Sequence, residues 1–117
     1  MIHDALAELP FCYVTTTGRV SGKPHRIEIW FATAPDTDTI YLLSGGRERS
    51  DWVRNLVGSP SCTVEIGADT FRGYARVVEG TAEDEPARRL VYEKYRRADD
   101  LDRWREEALP IAIDLSS

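Results

Sequence analysis

Ile40-Tyr41-Leu42-Leu43-Ser44-Gly45-Gly46-Arg47-Glu48-Arg49-Ser50-Asp51-Trp52-Val53-Arg54-Asn55-Leu56 holds three structural signals in a row. Ile40 to Leu43 is an apolar run of strand type. Gly45 and Gly46 punctuate it. Trp52, Val53, Leu56 and Val57 then fall on one face of a helix. The stretch reads as strand, glycine turn, helix start. Glycines admit positive φ and let a ligand approach the backbone closely. The free N–H groups at a helix start carry partial positive charge and suit an anion. Arg47 and Arg49 add guanidinium groups shaped for phosphate or carboxylate. The same residues also describe a plain Gly-Gly turn with solvated arginines.

Outward from that stretch, the totals set limits. The 117 residues suit one domain, residues 1–117, with a real core and no room for a second. With 42% hydrophobic and 30% charged residues, the composition is that of a folded soluble protein. No apolar run approaches the roughly 20 residues of a membrane helix. Met1-Ile2-His3-Asp4 shows no basic region followed by an apolar segment, so no secretory signal is expected and a cytoplasmic location follows by default. The net charge of −5 argues against a nucleic-acid partner, which a basic excess normally accompanies. Cys12 and Cys62 sit in strand-like runs without metal-ligand spacing and read as buried, reduced thiols.

Six strands are expected. The first is Phe11 to Thr17, after a short helix over residues 2–9 that Pro10 ends. The turn Gly18-Arg19-Val20-Ser21-Gly22-Lys23-Pro24 leads into the second, His25 to Ala32, and the two form a hairpin. In that second strand Ile27, Ile29 and Phe31 face one way and Arg26, Glu28 and Trp30 the other. Ile40 to Ser44 is the third, residues 62–66 the fourth and Phe71 to Glu79 the fifth. Thr81-Ala82-Glu83-Asp84 resembles a capping box before a helix marked by Ala87, Leu90, Val91 and Tyr95. A polar helix or turn over Asp99 to Glu107, anchored by Leu101 and Trp104, ends before Pro110. Ile111 to Leu115 is the terminal strand. Short antiparallel neighbours with few helices favour a barrel or sandwich over a parallel sheet, which needs a helical crossover after nearly every strand.

Two elements are placed to converge on one ligand. The hairpin turn offers Arg19, Ser21, Lys23, His25 and Arg26; the junction offers Ser44, Gly45, Gly46, Arg47, Arg49 and Asn55. Trp30 and Trp52 offer flat apolar surface for a ring system, although frequency of burial favours reading each as a core or interface residue. Cations, hydroxyls, backbone donors and flat rings together describe a phosphate-bearing planar cofactor of flavin type. No nucleophile elbow, zinc-binding helix or Walker loop stands out. A hydride-transfer protein needs none of these, because its cofactor carries the chemistry.

Thr15-Thr16-Thr17-Gly18-Arg19-Val20-Ser21-Gly22-Lys23-Pro24 resembles the hairpin of deazaflavin-dependent nitroreductase-like proteins. Asp51-Trp52-Val53-Arg54-Asn55-Leu56 is similar to that family's W-x-x-N-L helix, and Ser44-Gly45-Gly46 to the glycine turn before it. The similarity extends from Phe11 to Leu115. It implies a mainly β fold, a six-stranded antiparallel split β-barrel of the FMN-binding, pyridoxamine phosphate oxidase-like kind. It implies coenzyme F-420, a deazaflavin, with FMN as the alternative, and hydride transfer to a quinone, nitro or conjugated small-molecule substrate. A non-enzymatic module that binds a cofactor or other small molecule is the alternative from another class.

Carried across, the resemblance assigns Arg19 and Ser21 on the hairpin, Ser44, Gly45 and Gly46 on the turn, and Trp52 and Asn55 on the helix to cofactor binding. Val20 and His25 stand where nitroreductase-type members usually have lysine and arginine. Arg26 replaces the lost charge only if the strand register turns it to the same side. Lys23 and the arginines Arg47 and Arg49 complete the expected set, the last two expected to matter more for binding than for folding. A homodimer is expected, with Trp30, Tyr74 and Val78 on the covered face.

Overall fold

The computed structural model describes residues 2–96 and 101–116. Seven strands form one antiparallel sheet: β1 (Cys12–Thr17), β2 (Pro24–Ile29), β3 (Ala32–Thr33), β4 (Thr39–Ser44), β5 (Ser61–Ile66), β6 (Asp69–Val77) and β7 (Leu109–Ser116). Their order across the sheet is β2-β1-β5-β6-β7-β4-β3. Among the described residues four helices accompany them: α1 (Asp4–Ala7), α2 (Asp51–Gly58), α3 (Asp84–Tyr95) and α4 (Asp102–Glu107). The part of the second expected late helix at residues 99–100 lies outside the described residues.

The count of seven strands corrects the expected six, and the reason also explains the curl of the sheet. The strand read as His25 to Ala32 breaks at Trp30 and Phe31. Its first half pairs with β1 at one edge of the sheet, and its second half pairs with β4 at the other. Ile29 and Ala32 are three residues apart, so these edges lie within about 11 Å of each other there. A sheet whose two edges are that close must roll into a barrel with a slit. The break leaves backbone groups of Phe31 without a strand partner. The Tyr95 hydroxyl meets them: it accepts from the Phe31 N–H at 3.1 Å and lies 3.0 Å from the Phe31 carbonyl. It also lies 2.6 Å from the Pro10 carbonyl, so one α3 side chain ties the slit to the entry of β1.

Strand β4 shows why an apolar run without alternation is stable here. Ile40 and Leu42 point into the barrel with Val14, Val64, Ile66, Ile111 and Ile113. Tyr41 and Leu43 point the other way, under α3, with Val78, Ala87, Val91 and Ala112. Both faces are covered, so both carry apolar residues. Each large side chain buried in this way contributes about 1.5–3 kcal/mol. The expected capping box forms in altered shape. Thr81 Oγ1 accepts from the Glu83 N–H, and Asp84 reaches back to the Gly80 N–H, while Glu83 occupies the cap position of α3.

Trp30 is not a free platform: its ring stacks on Tyr95 at 4.2 Å and meets Trp104 edge-on at 5.9 Å. Val78 is buried. Of the three residues expected on a free dimer face, only Tyr74 is exposed. Cys12 is buried and Cys62 half-buried; both are free thiols, pushed up to about 12 and about 11 by burial. Beside Cys12, the Lys94 amine lies 3.7 Å from the centre of the Phe31 ring with no hydrogen-bond partner among the described residues. Burial pushes it down to about 8.

Candidate functional site

The hairpin and α2 do converge. Asn55 projects from the inner side of α2 and is 2% exposed. Its Oδ1 accepts from the Arg19 backbone N–H at 3.2 Å and from Arg19 Nη1 at 3.0 Å. Its Nδ2 donates to Thr16 Oγ1 at 3.0 Å, inside the sheet. Arg19 Nη2 reaches Asp51, one helical turn earlier, at 3.3 Å. This clasp fastens the β1–β2 turn to the start of α2. Between them lies a recess of about 210 Å³ lined by Gly18, Arg19, Val20, Ser21, His25, Asp51 and Asn55.

The strand register sorts His25 from Arg26. His25 pairs with Thr16 and stands on the recess side, where a Cβ on Gly18 would come within 3.0 Å of its ring. That contact and one of 2.9 Å to Ser21 Oγ, rather than any unusual φ, favour glycine at position 18. Arg26 pairs with Thr15 and faces away. Its guanidinium lies over the Tyr13 ring at 3.9 Å and binds Glu65 at 2.9 Å. Arg26 therefore does not replace the charge missing at His25, because adjacent strand residues face opposite sides. Val20 is 93% exposed at the tip of the turn. Ser21 accepts from the Lys23 N–H and shapes the turn; Lys23 itself is exposed beside it.

The glycine junction is built differently from the expectation. A single 3₁₀ turn, Arg47–Arg49, separates the glycines from α2. The left-handed backbone position falls on Arg47, at φ 53°, while Gly46 has φ −80°. Glycine at 46 leaves room for Ser50: a Cβ there would lie 2.4 Å from Ser50 Oγ and force that hydroxyl to move. Ser50 caps no helical N–H; its hydroxyl pairs with Ser44 Oγ at 3.1 Å. The first turn of α2 is thus left without a side-chain cap beside the recess. Gly45, Gly46 and Ser44 do not line that recess.

Arg47 turns to the far side. It binds Glu79 at 2.6 and 2.8 Å and donates to the Glu107 carbonyl at 2.7 Å. Arg88 shares Glu79 and donates to the carbonyls of Arg105, Glu106 and Ala108, holding the end of α4. These contacts make Arg47 part of the scaffold. Arg49 is exposed.

Trp52 is half-buried against the barrel core. The apolar surface on this side of the molecule lies on the other flank of α2. There Val53, Leu56, Val57, Pro60, Ala75, Val77 and Ile111, with Arg76, line a crevice of about 170 Å³. The expected site lacked Val57 and Val77. Their signal was present: each belongs to an apolar pair, Leu56-Val57 and Val77-Val78, in which the partner is buried while it stays exposed. Asp51 and Thr16, both in the clasp, carried no comparable signal.

A curled antiparallel sheet whose two edges nearly meet is a split β-barrel. The family model described as F420H(2)-dependent quinone reductase matches residues 2–116, and the chain belongs to that family. Solved structures agree in fold. An F-420-H2-dependent reductase, FDR-A, superposes with a TM-score of 0.71 at 22% identity, covering 92% of this chain and 94% of that one. A putative pyridoxamine 5'-phosphate oxidase from Listeria innocua gives 0.69 at 17%, covering 96% and 88%. A structure described as a domain-swapped dimer gives 0.71 at 23%, covering 92% and 80%.

The donor set of the recess fits a phosphate-bearing cofactor. Arg19 and His25 line it, Lys23 is exposed on the same turn outside that lining, and the uncapped start of α2 adds backbone N–H groups with partial positive charge. Among the described residues that line the recess, the Asp51 carboxylate opposes an anion.

Proposed function

We propose that this protein is a reductase that binds coenzyme F-420 by its phosphate at the hairpin–α2 recess and acts on a quinone or similarly conjugated acceptor. The observation that supports the location is the Asn55 clasp, which holds the cationic hairpin against the helix start. Reduced F-420 supplies a hydride when bound. Arg19, Lys23 and His25 hold the phosphate, and Asn55 orients Arg19. The apolar crevice on the other flank of α2 shields flat apolar groups from water. A homodimer fits the exposed Tyr74, Val57 and Val77, which would otherwise leave apolar surface in water.

The test is a thermal-shift and fluorescence titration of the purified protein with F-420, FMN and no cofactor. A ligand that binds only the folded state raises Tm with its concentration. F-420 is expected to do so, and reduced F-420 is expected to be oxidised by a soluble quinone. A shift with FMN alone would reassign the cofactor. A shift with F-420 but no turnover would make the protein a carrier.

A further inference from the structure

The two halves of the Arg19 clasp differ in kind. The half to Asn55 is sheltered: Asn55 and its partner Thr16 are each 2% exposed, and three hydrogen bonds converge on the amide. The half to Asp51 is open: one 3.3 Å contact between a side chain 35% exposed and one 82% exposed. An ion pair in that setting is weak, because water screens it and both side chains lose freedom to form it. A phosphate offers the same guanidinium several charged oxygens in a geometry it matches, with shorter and stronger bonds.

We infer that the Asp51 carboxylate is a placeholder. It occupies on Arg19 the position of a phosphate oxygen and is exchanged for the cofactor's phosphate on binding, while Asn55 keeps the guanidinium aimed. The inference rests on the reading of this recess as the phosphate site. It makes Asp51 a residue that sets affinity and selectivity for the anion without binding the cofactor. The exchange moves one hydrogen bond of Nη2 and breaks no covalent bond.

The experiment measures Kd for oxidised F-420 and for its phosphate-free deazaflavin core, in wild type, Asp51→Asn, Arg19→Lys and the double variant. Both positions lie at the surface, so folding is preserved, and Tm of each variant is recorded. Asp51→Asn is expected to tighten F-420 by about five-fold, the scale of losing one competing exposed ion pair. Binding of the phosphate-free core is expected to stay within two-fold, roughly the limit of a neighbouring charge on an uncharged ligand. In the Arg19→Lys background the gain should disappear, because a lysine has no fork to hold Asn55 and exchange Asp51 at once.

An equal gain in that background would show general repulsion by Asp51 and overturn the exchange. Unchanged or weaker F-420 binding in Asp51→Asn would overturn it as well, as would an equal gain for the phosphate-free core. A wild type that binds no F-420 would sink the cofactor reading itself, and the exchange with it. The two failures are told apart by the wild type alone.

Discussion

Arg19 and Arg47 stand at opposite ends of one short stretch of structure and do opposite things. Arg47 lies between α2 and the α3–α4 side, where two carboxylate oxygens of Glu79 and the Glu107 carbonyl take up its guanidinium. That side is built to hold: Tyr95 closes the broken strand, Arg88 gathers the end of α4, and Trp30 is stacked. Arg19 lies on the hairpin side, where its contact to Asn55 is part-buried and its contact to Asp51 is open to water. That side is the one we propose exchanges a contact. An arginine's role is therefore set by how completely its donors are taken and how well water reaches them.

The strongest way to break the contrast is at Tyr95. Tyr95→Phe removes the hydroxyl that serves Phe31 and Pro10 and leaves buried backbone groups unpaired. A loss of about 2–3 kcal/mol in chemical denaturation is expected. Its F-420 affinity, measured where the variant is folded, should change little. A large loss of affinity with no loss of stability would refute the division into a holding side and an exchanging side.

Lys94 gives a pH-dependent version of the same test. Its amine is pushed down to about 8 by burial, below the ordinary value of 10.5 it regains on unfolding. The fold therefore disfavours the charged form. The penalty is full below about pH 8 and fades as pH rises toward 10.5. Lys94→Met keeps a long side chain on Phe31 and removes the charge. It should raise stability by about 2 kcal/mol at pH 7, with the gain over wild type shrinking between pH 8 and 10.5. Denaturant unfolding of both proteins across that range decides it. A constant gain would mean that packing, not charge, separates them.

Next comes the pair Arg47 and Arg49. Arg47→Met is expected to lower Tm by a few degrees and leave F-420 affinity within about two-fold, the mark of a scaffold ion pair. Arg49→Ala is expected to do the reverse, with unchanged Tm and affinity weakened by about three-fold through loss of one exposed charge near the helix start. The expectation from sequence treated the two alike, so identical behaviour would restore it.

The smallest effect is expected at His25, which the register turns toward the recess. His25→Arg should tighten F-420 by about three-fold at neutral pH by adding a permanent charge beside the phosphate. Arg26→Ala, on the opposite face, should leave affinity unaltered. Titrations of the two variants side by side check the register directly; a stronger effect at Arg26 would contradict it.

The sequence alone determined the β-rich class, the hairpin, the helix after the glycine pair and the family resemblance. Those follow from periodicity and turn chemistry, which act between residues a few positions apart. Alternation even placed Ile27 and Ile29 toward the barrel. The tertiary structure decided the rest. The run from His25 to Ala32 looks like one strand because nothing local marks Trp30 and Phe31 as a break; the break exists because Tyr95, 64 positions later, supplies the missing hydrogen bonds. Arg47 looks as free as Arg49 because its partners, Glu79 and Glu107, are distant in sequence. Asp51 and Thr16 lie within the stretches that carry the resemblance, but nothing local gives either a role, and only the docking of hairpin on helix makes them part of a site. Local propensity writes the elements, but hydrogen-bond donors and charges are assigned by whatever folding brings within about 3 Å of them.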